Sequence, residues 1–302
     1  MTRNSAFFMH QRAVQIVQQQ QRAAGSPSPP FSFTDPTFGG LVSVIIDDGS
    51  GGKFVGGSFT SVTCNVTSTT YTTGYTRLVH LLPTGEVDSL WSCPVGSSQV
   101  HALALDVAND RLFVGGNFTS IGGESRTDLA MVEASSGDVD IGWTCNVIGL
   151  VYALALDVAN DRLFVGGQIS SIGGELRDDL ALVEASSGTV DIGWTCNVTS
   201  FASFVVRALA LDVANDRLFV GGDFTGIGGQ PRTDLALVEA SSGTVNIGWV
   251  CNTGNSFAKV LSDPTNDALF VFGGFSGATG LDGQQRDRFG TVVASTGDLH
   301  VP

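Results

Sequence analysis

The chain has 302 residues, of which 39 are glycine and only 15% are charged, so it can bury a core without disulfides or metals. Its wealth of Gly, Val, Thr, Ser and Phe favours short strands and tight turns over long helices. The net charge of -14, from 29 acidic against 15 basic residues, opposes binding to nucleic acid or an anionic surface, and no run approaches the roughly 18 apolar residues of a membrane span.

The first predicted element is a helical tail. Across residues 4–24, Phe7, Met9, Ala13, Val14, Ile16 and Val17 form an apolar side, and the other positions are mostly Gln and Arg. SPSPP at residues 26–30 reads as a stiff extended spacer. Phe7, Met9, Val14, Ile16 and Val17 are therefore candidate anchors, through which residues 1–25 would meet a protein partner. A disordered end is the alternative. Phe7, Phe8 and Met9 give way to His10, Gln11 and Arg12, short of the apolar run of a cleaved secretory signal, so export by that route is not expected.

Repetition dominates the chain beyond the tail. ALALDVANDRLFVGG occurs unchanged at residues 102–116, 153–167 and 208–222, with diverged copies beginning at Ser43 (SVIIDDGSGGKFVGGSFT) and Lys259 (KVLSDPTNDALFVFGGFSG). Each unit continues into a second signature, as in RTDLAMVEASSGDVDIGWTCN from Arg126. Trp91, Trp143, Trp194 and Trp249 mark the same point in successive units, at spacings of 52, 51 and 55.

Inside one unit four runs, VYALALD, RLFVGGQIS, DLALVEAS and TVDIGWTC, are separated by turn chemistry. Four strands at this period predict an all-β, five-bladed β-propeller of four-stranded blades over residues 31–302, behind an anchor and linker over residues 1–30. Helix-pair solenoids would show a 3.6-residue period that is absent. Aligned on the repeat, Phe33 falls at the tryptophan position and the chain ends one residue before that position. The expected closing strand begins at Asp298–Pro302 and is completed around Phe33, which removes an open sheet edge.

The string LFVGGxFTxIGGxxRxxLAxVxxxxGxVxxxW, seen best from Leu112 onward, resembles the delta-sixty type of propeller repeat of large bacterial surface and secreted proteins. It is more loosely similar to repeats of a fungal cortical polarity marker. The resemblance covers residues 33–302 and implies a propeller, frequent surface location and no shared catalytic residues. Phe272 departs from it, standing where other repeats have the first Gly of the pair, so a different bend is expected there.

Several recurring residues invite chemical readings. Asp106 with Asp110, Asp157 with Asp161, and Asp212 with Asp216 could be imagined as calcium ligands, but turn chemistry accounts for them more simply, and no metal or cofactor is expected. Arg126 with Asp128, Arg177 with Asp179, and Arg232 with Asp234 sit two apart on one side of an extended chain, as loop ties or as a ring for an acidic glycan. Glu133, Glu184 and Glu239 read as outward-facing. Cys93, Cys145, Cys196 and Cys251 share one repeat position and read as packed thiols, whereas Cys64 is alone in an insertion and reads as exposed, a candidate for intermolecular pairing. His80, His101 and His300 lie near no nucleophile motif and read as structural. Sequons at Asn65, Asn117 and Asn197 are explained by abundant Thr.

Three segments break the symmetry: residues 61–76, residues 199–207 and the tail. Tyr71, Tyr75, Phe201 and Phe204 are the candidate ligand-binding residues, available to stack on a surface glycan or enter a partner's pocket; long connections are the bland alternative. Near-identical repeats disfavour the asymmetric acid pair that glycosidases need. The expectation is a non-enzymatic recognition or structural module on a virion or extracellular surface, with a lectin or adhesin as the alternative and a glycoside hydrolase-like enzyme third.

Overall fold

A computed structural model describes residues 36–64, 67–199, 205–251, 257–273 and 289–298. The expected tail, its anchor residues, Phe33 and the last four residues of the closing strand lie outside these. Contacts divide the chain into two compact units, Met1–Gly142 and Trp143–Pro302, and the described residues of both are all-β apart from short 3-10 turns.

In the first unit, one antiparallel sheet joins Val42–Asp47, Lys53–Gly57 and Leu78–Leu81. The next joins Val95–Asp106, Arg111–Ile121 and Leu129–Glu133. The second unit repeats this order with Val147–Asp157, Arg162–Ile172 and Leu180–Glu184, then Val205–Asp212, Arg217–Asp223 and Leu235–Glu239, then Phe257–Asp263, Ala268–Gly273 and Phe289–Val293. In each sheet the middle strand is the LFVGG segment or its diverged copy.

That segment is a continuous apolar run because both its faces are buried. Phe164, Leu180 and Leu182 of one sheet pack in a single cluster with Leu218, Val220, Ala236 and Val238 of the next, while Phe219, Leu235 and Leu237 on the other face of that second sheet pack against Val260, Leu269, Val271 and Val292. In the first unit Phe54 and Leu78 likewise meet Leu112, Val114, Ala130 and Val132. Within each unit the core thus sits between successive sheets.

The fourth predicted strand is reduced to one bridge, Val132 to Val139 and its equivalents Val183 to Val190 and Val238 to Val245. The reason lies in the next residue. Asp140 Oδ1 accepts from the Gly142 amide at 2.7 Å, as Asp191 does from Gly193 at 2.8 Å, and such a side-chain bond turns the backbone out of the ladder. The turn delivers the tryptophan into the core. Trp91, Trp143, Trp194 and Trp249 are 1–2% exposed, and each indole donates 3.0–3.1 Å to an Ala carbonyl of the following repeat: Ala134, Ala185, Ala240 and Ala294. The SSG turn beside that carbonyl needs its glycine. Gly137 has φ +82, and a Cβ there would come 3.1 Å from Trp91 Cε2.

Phe272 does not change the pairing. It lies opposite Lys259, with the register shift between Phe257 and Lys259, matching the shift between Val206 and Ala208 in the preceding sheet. Its ring packs on Phe289 at 5.0 Å instead.

Candidate functional site

The recurring polar residues are engaged with the fold itself. Asp106 caps a 3-10 turn, accepting from the Asn109 amide at 3.2 Å and its side chain at 2.8 Å, and also holds Arg111 Nη2 at 2.6 Å. Burial alone would raise the Asp106 carboxyl; the bonds from Asn109 and Arg111 outweigh it and lower it. Asp110 closes the turn in the left-handed region at φ 56 and accepts from the Ser135 amide at 2.7 Å. In the second unit Arg217 adds a tie between repeats, donating to Asp267 at 2.9 Å while lying 3.6 Å from Asp212. These are turn residues, as the sequence indicates. Among the described residues no group of three or more His, Cys, Asp or Glu is placed to hold a metal ion.

The Arg and Asp residues two apart do tie loops, though not as pairs on one side of a strand. Asp128 and Asp179 have left-handed backbones, φ 63 and 67, which turns each away from its arginine. Asp128 Oδ1 accepts from the Phe118 amide at 2.7 Å and Asp179 Oδ1 from Ile169 at 2.8 Å, closing the base of the intervening loop. Burial, only partly opposed by these bonds, pushes both carboxyls up to about 6. Asp179 Oδ2 is buried with no hydrogen-bond partner among the described residues. The arginines reach forward to the tryptophan turn: Arg126 donates to the carbonyls of Ser125, Asp140 and Ile141, and Arg177 to those of Leu176 and Asp191. Glu133, Glu184 and Glu239 are exposed, as expected.

All five cysteines are buried thiols, and none forms a disulfide. This corrects the expectation for Cys64, which is 0% exposed. The strand Val62–Cys64 alternates inward, outward, inward, so Cys64 joins Val62 in the core and accepts from the Val87 amide at 3.3 Å. Burial pushes the Cys93, Cys145 and Cys196 thiols up to about 12.

The first insertion forms its own small sheet of Thr37–Phe38, Val62–Cys64 and Thr69–Tyr71. Tyr71 pairs with Val62, and its ring meets Tyr75 edge-on at 5.2 Å. Both tyrosines are half-buried against the Val62 and Cys64 cluster, and Tyr75 donates to the Ser89 carbonyl at 3.3 Å. The tyrosines are brought together, but much of each ring is used in packing; the outer surface is hydroxyl, with Thr69, Thr70, Thr72 and Thr73 exposed. The Thr63 and Thr70 hydroxyls lie 2.9 Å apart. Beside them Thr67 donates to Glu86 Oε2 at 3.0 Å, and Glu86 Oε1 is buried without a partner among the described residues. Phe201 and Phe204 lie outside the described residues.

One polar cluster escaped sequence reasoning. His80 bonds Asp48 through Nε2 at 3.1 Å and Asp88 through Nδ1 at 3.0 Å, and stacks on Phe54 at 4.6 Å. Burial opposes its charge, but the two carboxylates overcome this and raise it; Asp48, also bonded by Ser50, is held well below the ordinary carboxylate range despite its own burial. His80 occupies the strand position that is Met131 in the next repeat, opposite the phenylalanine of the middle strand in both. A histidine replacing the buried Met131 was the available signal.

No family model and no curated protein matches the chain. Among solved structures it is similar to Sqt1 of Saccharomyces cerevisiae, with a TM-score of 0.52 and 11% identity over 86% of this chain and 60% of that one. It therefore spans less than two thirds of the Sqt1 chain. A chain of a nidogen/laminin complex aligns with a TM-score of 0.44 and 12% identity, covering 78% of this chain and 73% of that one. Taken with the successive antiparallel sheets, the likeness to Sqt1 assigns the fold: this is a protein of the β-propeller class.

Proposed function

We propose that this chain is a non-enzymatic recognition or structural module displayed on a larger assembly, and that the assembly is a virion. In this reading the repeats are of the delta-sixty type and make five blades over residues 31–302. The ring closes within one strand, with Phe33 in the place of a fifth tryptophan, and residues 1–25 meet the protein partner through Phe7, Met9, Val14, Ile16 and Val17.

One observation carries the reading. The polar side chains repeated from unit to unit, Asp106, Asp110, Asp128 and Arg126 with their equivalents, are engaged in turns and loop closures, so individuality resides in the insertion and the tail. A protein lacking residues 1–25 is expected to keep its far-ultraviolet spectrum and fail to join its native particle; normal incorporation would sink the proposal.

A lectin or adhesin is the second reading, favoured by the exposed threonines beside Tyr71 and Tyr75. Saturable binding on a glycan array, lost on replacing Thr70 and Thr72 by Val, would select it.

A further inference from the structure

The repeats also differ inside their strands, at two positions that the hairpin brings together. ALALDVANDRLFVGG is unchanged at 102–116, 153–167 and 208–222, yet the residue before it is His101, Tyr152 or Arg207, and the residue after it is Asn117, Gln168 or Asp223. Ala153 pairs with Gly166 and Ala208 with Gly221, so the two ends of the invariant segment lie side by side. The variable residue before it sits in a register shift: between Val100 and Ala102, between Val151 and Ala153, and between Val206 and Ala208. A β-bulge of this kind bends its strand and re-aims the side chain it carries. The facing glycines make room for it. A Cβ on Gly167 would come 1.9 Å from the Leu150 carbonyl oxygen, and one on Gly222 2.0 Å from that of Val205. A constant framework thus presents a different side chain in each copy.

Within the unit Trp143–Pro302 two of these presentations join. Val206 lies so close on the preceding sheet that a Cβ on Gly166 would come 2.5 Å from its Cγ1, and the neighbouring Arg207 places its Cζ 6.0 Å from the centre of the Tyr152 ring. Arg207 Nε donates to Asp223 Oδ2, and Nη2 lies at the same 2.6 Å from that atom. Among the described residues both contacts fall on one carboxylate oxygen, which leaves Oδ1 to accept and Nη1 to donate. The two side chains are 41% and 29% exposed. Gln168, the counterpart of Asp223 beside Tyr152, is exposed as well.

We infer that the surface formed by Tyr152, Gln168, Arg207 and Asp223 is a binding site for a neutral saccharide. A carboxylate acceptor next to a guanidinium donor matches two adjacent sugar hydroxyls, each of which both gives and takes a hydrogen bond. The Gln168 amide offers the same combination on one side chain, and the Tyr152 ring supplies an apolar face for the C–H side of the sugar. Arg207 and Asp223 neutralise one another, so the site has no net charge with which to hold an ionic group, and the chain's charge of -14 opposes an acidic sugar. These four residues are separate from the insertion around Thr70 and Tyr71 and from the tail, and the site stands or falls without either.

The test uses the full chain and saturation-transfer NMR, with lactose, maltose and cellobiose as neutral probes and digalacturonate as the acidic one. At least one neutral sugar is expected to bind saturably. Tyr152→His and Arg207→His install at each bulge the residue that the fold already carries at position 101, and each is expected to weaken that binding at least tenfold with the thermal transition unchanged. Should either variant fold poorly, Asp223→Asn, the residue carried at position 117, is expected to act in the same direction. Replacing Thr70 and Thr72 by Val is expected to change nothing. Binding of no neutral sugar, stronger binding of digalacturonate than of every neutral sugar, or equal binding by wild type and the strand variants overturns the inference. Loss only on replacing Thr70 and Thr72 also overturns it, and in that case the sugar contacts belong to the insertion.

Discussion

The indole N–H of Trp194 donates to the carbonyl of Ala240, 3.1 Å away and 46 residues further along the chain. The bond is buried and joins one repeat to its successor. Trp194→Phe keeps most of the ring volume and leaves that carbonyl unpaired, which costs about 1 to 3 kcal/mol. Thermal denaturation is expected to shift down by several degrees. Gly243→Ala is expected to act alike, because its φ is +76 and the new Cβ would lie 3.2 Å from Trp194 Cε2. A melting temperature unchanged in both variants would contradict the latch.

The buried Asp179 gives a pH signature. Its folded carboxyl, about 6, lies above the ordinary 3.8. Its favourable neutral form is therefore fully present below the lower value, and stability is lost as pH rises through about 6. Asp179→Asn mimics the neutral form and keeps an acceptor for the Ile169 amide. The variant should match the wild type near pH 4 and exceed it by about 2 to 3 kcal/mol at pH 8, as read by urea denaturation at the two pH values.

His80 works in the opposite pH range. Its folded value lies above 6.5, so the stabilisation from Asp48 and Asp88 is complete below 6.5 and disappears as pH rises through the raised value. Tracking its imidazole protons by NMR should show titration above the ordinary histidine range. Asp48→Asn should move that titration down; an unmoved titration would mean that the 3.1 Å contact does not govern its charge.

Thiol chemistry tests the burial of Cys64. All five cysteines are buried, and thiols held up near 12 react as poorly as their thiolate fraction dictates. An aromatic disulfide reagent at pH 8 is expected to find no reactive thiol in the native protein and five after denaturation. One fast equivalent, absent in Cys64→Ser, would restore the view of Cys64 as a surface group.

Much of the fold was legible because a strand buried on both faces is written as an unbroken apolar run, and RLFVGG repeats without change. The lost fourth strand was harder to foresee. DVDIGW has strand composition, and only the bond from Asp140 to the Gly142 amide converts it to a turn. For Cys64 the signal was present in the alternation of Val62, Thr63 and Cys64, outweighed by the polar look of the insertion. The separation of Arg126 from Asp128 was not legible, since it depends on a left-handed aspartate whose reason, the Phe118 amide, lies ten residues upstream. The Tyr71 and Tyr75 pair was visible as residues, but its half-burial arises from Val62 and Cys64 beneath it.

Since each indole serves the repeat after its own, a cut at the sequence motif and a cut at the self-sufficient piece fall in different places. A fragment running from Trp143 to Gly193 holds both Trp143 and its acceptor Ala185, and the next fragment begins with Trp194 and holds Ala240. Duplication or transplantation in that frame lengthens the array without orphaning a buried donor or acceptor, whereas the same operation framed on ALALDVAND would strand a tryptophan at one end and a bare carbonyl at the other. The natural unit of growth for such a chain is the junction.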